Sequence, residues 1–178
     1  HPYNAIYEDV KSLPGDSTIL VDPARLNYAL YNNLPKDAEV VEKTNPAVLM
    51  KAMKNDTEIK NIIKAHEKDG VAITKFMYWL KKNVGKTEIT EISAAEKLEE
   101  FRKEQDGYLW QSFEPICGFG AHGAIVHYAA TPETSIPVEP DNLFLTDTGG
   151  GYMEGSTDIT RTFAFGNISE RMKEDFTT

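Results

Sequence analysis

Cysteine occurs once, at Cys117, in a chain of 178 residues. A single thiol excludes an internal disulfide and leaves no Cys pair for a zinc-type site. Basic clusters are missing as well. No run of five Lys or Arg interrupts a formal charge of -9, which argues against nucleic acid as a partner. No stretch approaches 18 consecutive apolar residues, so no membrane span is predicted. Histidine is confined to positions 1, 66, 122 and 127, and no His-Gly-x-Gly-His motif occurs. The opening His1-Pro2-Tyr3-Asn4 has neither an initiator Met nor the form of a secretory signal. The expectation is a chain that starts inside a longer product and works in a reducing cytoplasm. Its 40% hydrophobic content supports one globular domain, or one and a fraction.

What is present falls into two textures. Residues 1–45 alternate short helix and strand patterns. Tyr3 to Leu13 has helical spacing and stops at Pro14-Gly15, and Ser17 to Val21 reads as a buried strand. Asp22-Pro23 has the form of an N-cap followed by a first helical residue, and Glu39 to Val41 is a second strand. About 45 residues are too few to bury a stable core alone. This piece is expected to be the tail of an upstream α/β domain, with residues 46–178 forming the next one. Asn45-Pro46 opens a helix. A long amphipathic helix is predicted from Asp56 to Val84, with Ile59, Ile62, Ile63, His66, Ile73, Phe76, Met77 and Leu80 inward. Thr87 to Gln105 holds another, with Ile92, Ala95, Leu98 and Phe101 inward. Strands are then predicted at Tyr108–Ile116, Ala124–Tyr128, Asn142–Thr148 and Thr157–Phe165. Cys117 reads as a small buried hydrophobe, because no nucleophile-activating partner is identifiable. Ser169 is a candidate N-cap for a helix that the chain leaves two turns in, so a truncated C-terminus is also expected.

The chemistry concentrates in Asp147-Thr-Gly-Gly-Gly-Tyr-Met-Glu-Gly-Ser-Thr-Asp158 and the Ile-Thr-Arg-Thr-Phe run after it. Leu143-Phe144-Leu145 delivers Asp147, a turn at Glu154-Gly155 reverses the chain, and a strand begins at Asp158. Ten residues separate the two aspartates, a spacing that suits the arms of one β-hairpin. Facing carboxylates repel unless one is protonated or a cation lies between them. Hard oxygen donors suit manganese, magnesium or zinc. The spacing alone equally allows two structural caps and no metal.

The residues of this run resemble the metal hairpin of the Xaa-Pro aminopeptidases (aminopeptidase P), whose usual form is Asp-Ser-Gly-x-x-Tyr-x-x-Gly-Thr-Thr-Asp-(Ile/Val)-Thr-Arg-Thr. Thr148 and Ser156 depart mildly from it, and Gly150 and Gly151 are smaller than usual, which predicts a looser arm. The resemblance extends back through Ser112-Phe113, Gly123-Ala-Ile-Val-His127-Tyr128, Thr90-Glu-Ile-Ser-Ala-Ala-Glu and Asp22-Pro-Ala-Arg-Leu. It implies an α/β (α+β) fold. A creatinase-like N-terminal α/β domain would end in residues 1–45. The first half of a pita-bread catalytic domain would fill 46–178, as part of the long three-domain form. Two divalent metal ions are implied in the complete enzyme, manganese first, zinc or cobalt otherwise. Asp147 and Asp158 are implied ligands, and His127, at the end of a buried strand formed with Ile125 and Val126, is implied to bind substrate and stabilise the transition state. The reaction implied is removal of an N-terminal residue before proline by a metal-activated water, acting on peptides with proline second. The remaining His and two Glu ligands would come from the absent second half. The fragment alone is therefore expected to be inactive, with metal absent or partial, and to self-associate as a homo-oligomer. His122 replaces the usual Asn or Thr of its loop, Ala121 replaces a Pro, and His66 reads as a packed helix histidine.

Two other readings compete. Asp147-Thr148-Gly149 also has the form of an aspartic-protease triplet, but that fold is nearly all β and half of this chain reads as helix. The non-enzyme alternative is a pita-bread domain serving only as a peptide- or protein-binding module. Retention of both aspartates and His127 argues against it.

Overall fold

The computed structural model describes residues 1–177. Two stretches of aliphatic residues, β1 (Thr18–Val21) and β2 (Glu39–Glu42), pair in parallel with Thr18 opposite Glu39 and Val21 opposite Glu42. The helices α1 (Ile6–Lys11), α2 (Tyr28–Asn32) and α3 (Pro46–Ala52) complete a first unit that ends at Asn55. Contacts thus group α3 with this unit, ten residues beyond the boundary expected at 45. Asn45 caps α3 as predicted: its side chain accepts the Ala47 N–H, and Pro46 fills the first turn. Asp22-Pro23, by contrast, does not start a helix. The Asp22 carboxylate accepts the Ala24 N–H and, through its other oxygen, the Asn45 N–H. The chain makes one turn there and is recapped by Asn27, which accepts the Leu30 N–H at the head of α2.

The second unit begins at Asp56 with α4 (Asp56–Asn83), a helix of 28 residues. Asp56 and Glu58 lie in its first turn and Lys81 and Lys82 in its last, which complements the helix dipole at both ends. Its buried stripe is Ala65, Asp69, Ala72, Ile73, Phe76 and Leu80, at steps of three and four. The predicted stripe was therefore right in its C-terminal half only. Ile59 and Ile63 are exposed, and His66 points to solvent with its Nδ1 2.9 Å from the Ile62 carbonyl, so it is not a packed helix histidine. Helix α5 (Glu91–Lys103) starts at a capping box in which Thr90 accepts the Ser93 N–H and Ser93 accepts the Thr90 N–H. It buries Glu91, Ala94, Leu98 and Arg102.

Two three-stranded antiparallel sheets follow. One is β3 (Tyr108–Gln111), β6 (Gly150–Tyr152) and β7 (Gly155–Ser156); the other is β4 (Ile116–Phe119), β5 (Asn142–Thr148) and β8 (Ile159–Phe165). The expected strand at 108–116 is thus two strands in different sheets. Helix α6 (Glu170–Thr177) closes the described chain. Phe144, Phe163, Phe165 and Phe119 meet Phe76, Leu80 and Leu98 in one apolar core, with Phe76 edge-on to Phe163 at 6.1 Å. Cys117 is part of this core. Burial pushes its thiol up to about 12, so it stays protonated and acts as a small hydrophobe.

Candidate metal centre

The hairpin predicted around the two aspartates forms, in two tiers. Its outer arms are β5 and β8, paired from Asn142–Phe165 to Thr148–Ile159. Its inner arms are β6 and β7, closed over Met153 and Glu154. Between the tiers the chain passes Gly149, where a Cβ would lie 2.0 Å from the Thr157 carbonyl and 2.2 Å from Ser112 Oγ, so only glycine fits. Gly150 and Gly151 do not leave gaps. The Tyr152 ring covers the first and the Trp110 indole the second, and both glycines are buried.

Strand alternation decides where the carboxylates point. Phe144, Thr146 and Thr148 are buried against the helices, so Leu143, Leu145 and Asp147 take the opposite face. Asp147 lies across from Thr160, and Asp158 precedes Thr160 by two residues, which puts both aspartates on that one face as diagonal neighbours. Asp147 is half-buried and Asp158 exposed. Asp147 Oδ1 is fully shielded from solvent yet has no hydrogen-bond partner. A buried carboxylate oxygen without a donor is costly, and a divalent cation is what satisfies such an atom. The residues present therefore fit a metal. Among the described residues no third His, Cys, Asp or Glu completes a cluster with them.

Behind this face lies a buried polar network that the linear pattern did not disclose. Arg102 Nε donates to Asp69 Oδ1 at 2.7 Å and Arg102 Nη2 to Asp69 Oδ2 at 3.1 Å. Arg102 Nη2 also donates to Thr148 Oγ1 at 2.9 Å. Thr157 Oγ1 donates to Asp69 Oδ2 in a short contact and accepts the Gly150 N–H at 2.9 Å. Tyr152 donates to Asp69 Oδ1 at 3.3 Å; burial first, and then the Asp69 charge, hold its phenol well above the usual range and keep it a donor.

His127 is not at the end of a buried strand. Residues 120–124 form a 3-10 helix, Ile125 and Val126 are exposed, and His127 sits in an exposed turn with φ 55°. The glycines at 118, 120 and 123 allow this close turn, which takes the place of the β-pairing that the run of Ile and Val suggested. A Cβ on Gly123 would lie 3.5 Å from the Leu145 Cβ, so the 3-10 segment covers the Asp147 face of the sheet. Buried Glu91 holds the segment in place. It accepts the Phe119 N–H at 2.8 Å, the Tyr128 hydroxyl at 2.8 Å, the Ile136 N–H at 3.2 Å and His122 Nδ1 at 2.9 Å. His122 therefore serves the loop through Glu91.

The hairpin tip is tied to α4 by charge. Lys68 and Lys64 reach Glu154 Oε1 at 2.7 and 3.1 Å, and these two ammonium groups, Lys68 first, hold the Glu154 carboxyl down to about 2. A depressed carboxyl stabilises the fold above its unfolded value, near 4.3, and loses that contribution as pH falls through about 2. Glu154→Gln should accordingly melt below wild type at pH 7, and the gap should close between about pH 4.3 and 2. A gap that persists unchanged at pH 2 would contradict this assignment.

Comparison with known proteins places the chain. Residues 60–178 match metallopeptidase family M24. The chain belongs to that family. Residues 1–58 match the creatinase/prolidase N-terminal domain. The chain is 37% identical over 206 residues to aminopeptidase P2 of Arabidopsis thaliana, covering 99% of this chain and 29% of that protein. It is 37% identical over 179 residues to the Xaa-Pro aminopeptidase ApepP of Drosophila melanogaster, again covering 99% and 29%. Among solved structures it resembles the X-prolyl aminopeptidase of Caenorhabditis elegans, described as a cytosolic enzyme with a dinuclear active site. The TM-score is 0.84 at 28% identity, over 96% of this chain and 29% of that one. The prolidase of Pyrococcus horikoshii aligns with a TM-score of 0.71 at 26% identity, over 97% and 48%. The fold is the mixed α/β pita-bread architecture of these M24 enzymes. The chain spans under a third of the length of the curated relatives it matches.

Proposed function

We propose that a protein carrying this chain is a metal-dependent Xaa-Pro aminopeptidase, removing the first residue of peptides with proline second. The observation that carries this reading is the pair of aspartates on one face of the M24 hairpin, with Asp147 Oδ1 shielded and unpartnered. Asp147 and Asp158 would hold the metal pair, with manganese the first choice. When bound, the pair supplies a Lewis acid for the peptide carbonyl and lowers the pKa of water. His127, exposed at the end of the loop whose 3-10 segment covers that face, would offer a ring N–H to an oxygen on which charge develops. We also propose that this chain alone is inactive, since it brings two carboxylates and no third ligand among its described residues. The cytoplasm fits the same proposal, supported by the cytosolic relative and by the lack, among the described residues, of a helix able to cross a membrane.

The test is hydrolysis of a peptide with proline second by the whole protein, with manganese and with EDTA, beside Asp158→Ala. Manganese-dependent release of the first residue, abolished by chelator and by the substitution, is the expected result. No cleavage with any divalent metal would move the reading to a binding module that keeps the hairpin as structure.

A further inference from the structure

One buried ion pair touches both arms of the hairpin, next to the two aspartates in sequence. Thr148 follows Asp147 and Thr157 precedes Asp158. In each case the threonine is buried, while the neighbouring aspartate is half-buried (Asp147) or exposed (Asp158). The Thr148 hydroxyl accepts from Arg102, and the Thr157 hydroxyl donates to Asp69. Asp69 and Arg102 are themselves bonded through two contacts and are 0% and 2% exposed. Each arm is therefore pinned one residue from its carboxylate, and both pins end on the same ion pair, one on the cation and one on the anion.

A buried ion pair of this kind is not an efficient source of stability, because desolvation offsets most of its attraction. It is a good source of geometry. Asp69 gathers four donor atoms, from Arg102, Thr157 and Tyr152, and the bidentate guanidinium fixes its plane. We propose that Asp69 and Arg102, acting through Thr148 and Thr157, are positioning residues that set the separation and direction of the Asp147 and Asp158 carboxylates for a divalent cation. This rests on the metallopeptidase reading above. The pair comes from α4 and α5, so the helices fix the metal site without contributing a ligand to it.

The test separates positioning from packing. Thr157→Val and Thr148→Val keep the shape of each side chain and remove only the hydroxyl, and Thr157→Ser returns it. Mn2+ affinity is read from the free-ion electron paramagnetic resonance signal during titration of the whole protein, and thermal melting is recorded on the same samples. Each Val variant is expected to bind Mn2+ about 10- to 100-fold more weakly, the range typical of groups that orient metal ligands, with Thr157→Ser near wild type. Val variants that melt lower but bind Mn2+ within twofold of wild type would show that the network is structural only. If one Val variant does not fold, the other decides by the same criterion. A wild type that binds no Mn2+, or an Asp158→Asn protein that binds like wild type, overturns the metal reading and the positioning role together.

Discussion

Arg102→Ala should destabilise the second unit by about 3–5 kcal/mol, because it leaves the Asp69 carboxylate buried and without its cation. At about 3 °C per kcal/mol for a chain of this size, melting should fall by roughly 10–15 °C. The informative comparison is the double variant Asp69→Leu/Arg102→Met. Replacing both charges with apolar groups of similar volume removes the desolvation cost as well as the attraction, and is often neutral or better for stability. The double variant should therefore recover part of what Arg102→Ala loses, held short of wild type because the buried Tyr152 hydroxyl loses its Asp69 acceptor. A single variant within about 1 kcal/mol of wild type would mean that Asp69 finds another partner at little cost.

Glu91→Ala should be nearly as damaging, for a different reason. Glu91 is the acceptor for two main-chain N–H groups, a tyrosine hydroxyl and a histidine nitrogen. The Phe119 N–H is buried and would be orphaned, and the Tyr128 hydroxyl would keep only its 3.4 Å contact with the Thr134 carbonyl; a buried donor left without a good acceptor costs about 1–3 kcal/mol. A total of about 3–5 kcal/mol is expected by thermal or denaturant unfolding. The loss should also be local in its dynamics. Amides from Phe119 to Tyr128, the segment that carries His127, should exchange with solvent faster, while those around Phe76 and Leu80 keep the protection of the core. Unchanged exchange across that segment would remove Glu91 as its anchor.

Much of this molecule follows local rules that can be applied to the linear chain. The period of α4, the Asn45-Pro46 start and the alternation of β5 and β8 all depend on near neighbours. The hairpin spacing of the two aspartates is local in the same way, whereas their role as ligands is implied only by the family resemblance. The errors share an opposite character. Ile125 and Val126 have strand propensity, but tertiary contacts turn that segment outward, and β propensity yields to such contacts readily. Ile59 and Ile63 fit the helical stripe but stand exposed, while the neighbouring Ile62 and Lys64 take the contacts with the hairpin tip. Asp69, Glu91 and Arg102 are charged, so local patterning assigns them to the surface. What buries them is the meeting of segments far apart in the chain, and each survives there because several donors or acceptors converge on it.

That distance has a consequence in time. Asp69 and Thr157 are 88 residues apart, and Asp69 and Tyr152 are 83. At a synthesis rate of about 5–20 residues per second, Asp69 emerges roughly 4–18 s before the hairpin that completes its set of partners. Helix α4 can form in microseconds, so until Arg102, 33 residues further on, has emerged, it presents a bare carboxylate in the middle of its apolar stripe. A charge there keeps the nascent helix hydrated and discourages premature burial of that stripe against a wrong neighbour. The same residue that ends at the centre of the folded network thus begins as a guard on the growing chain.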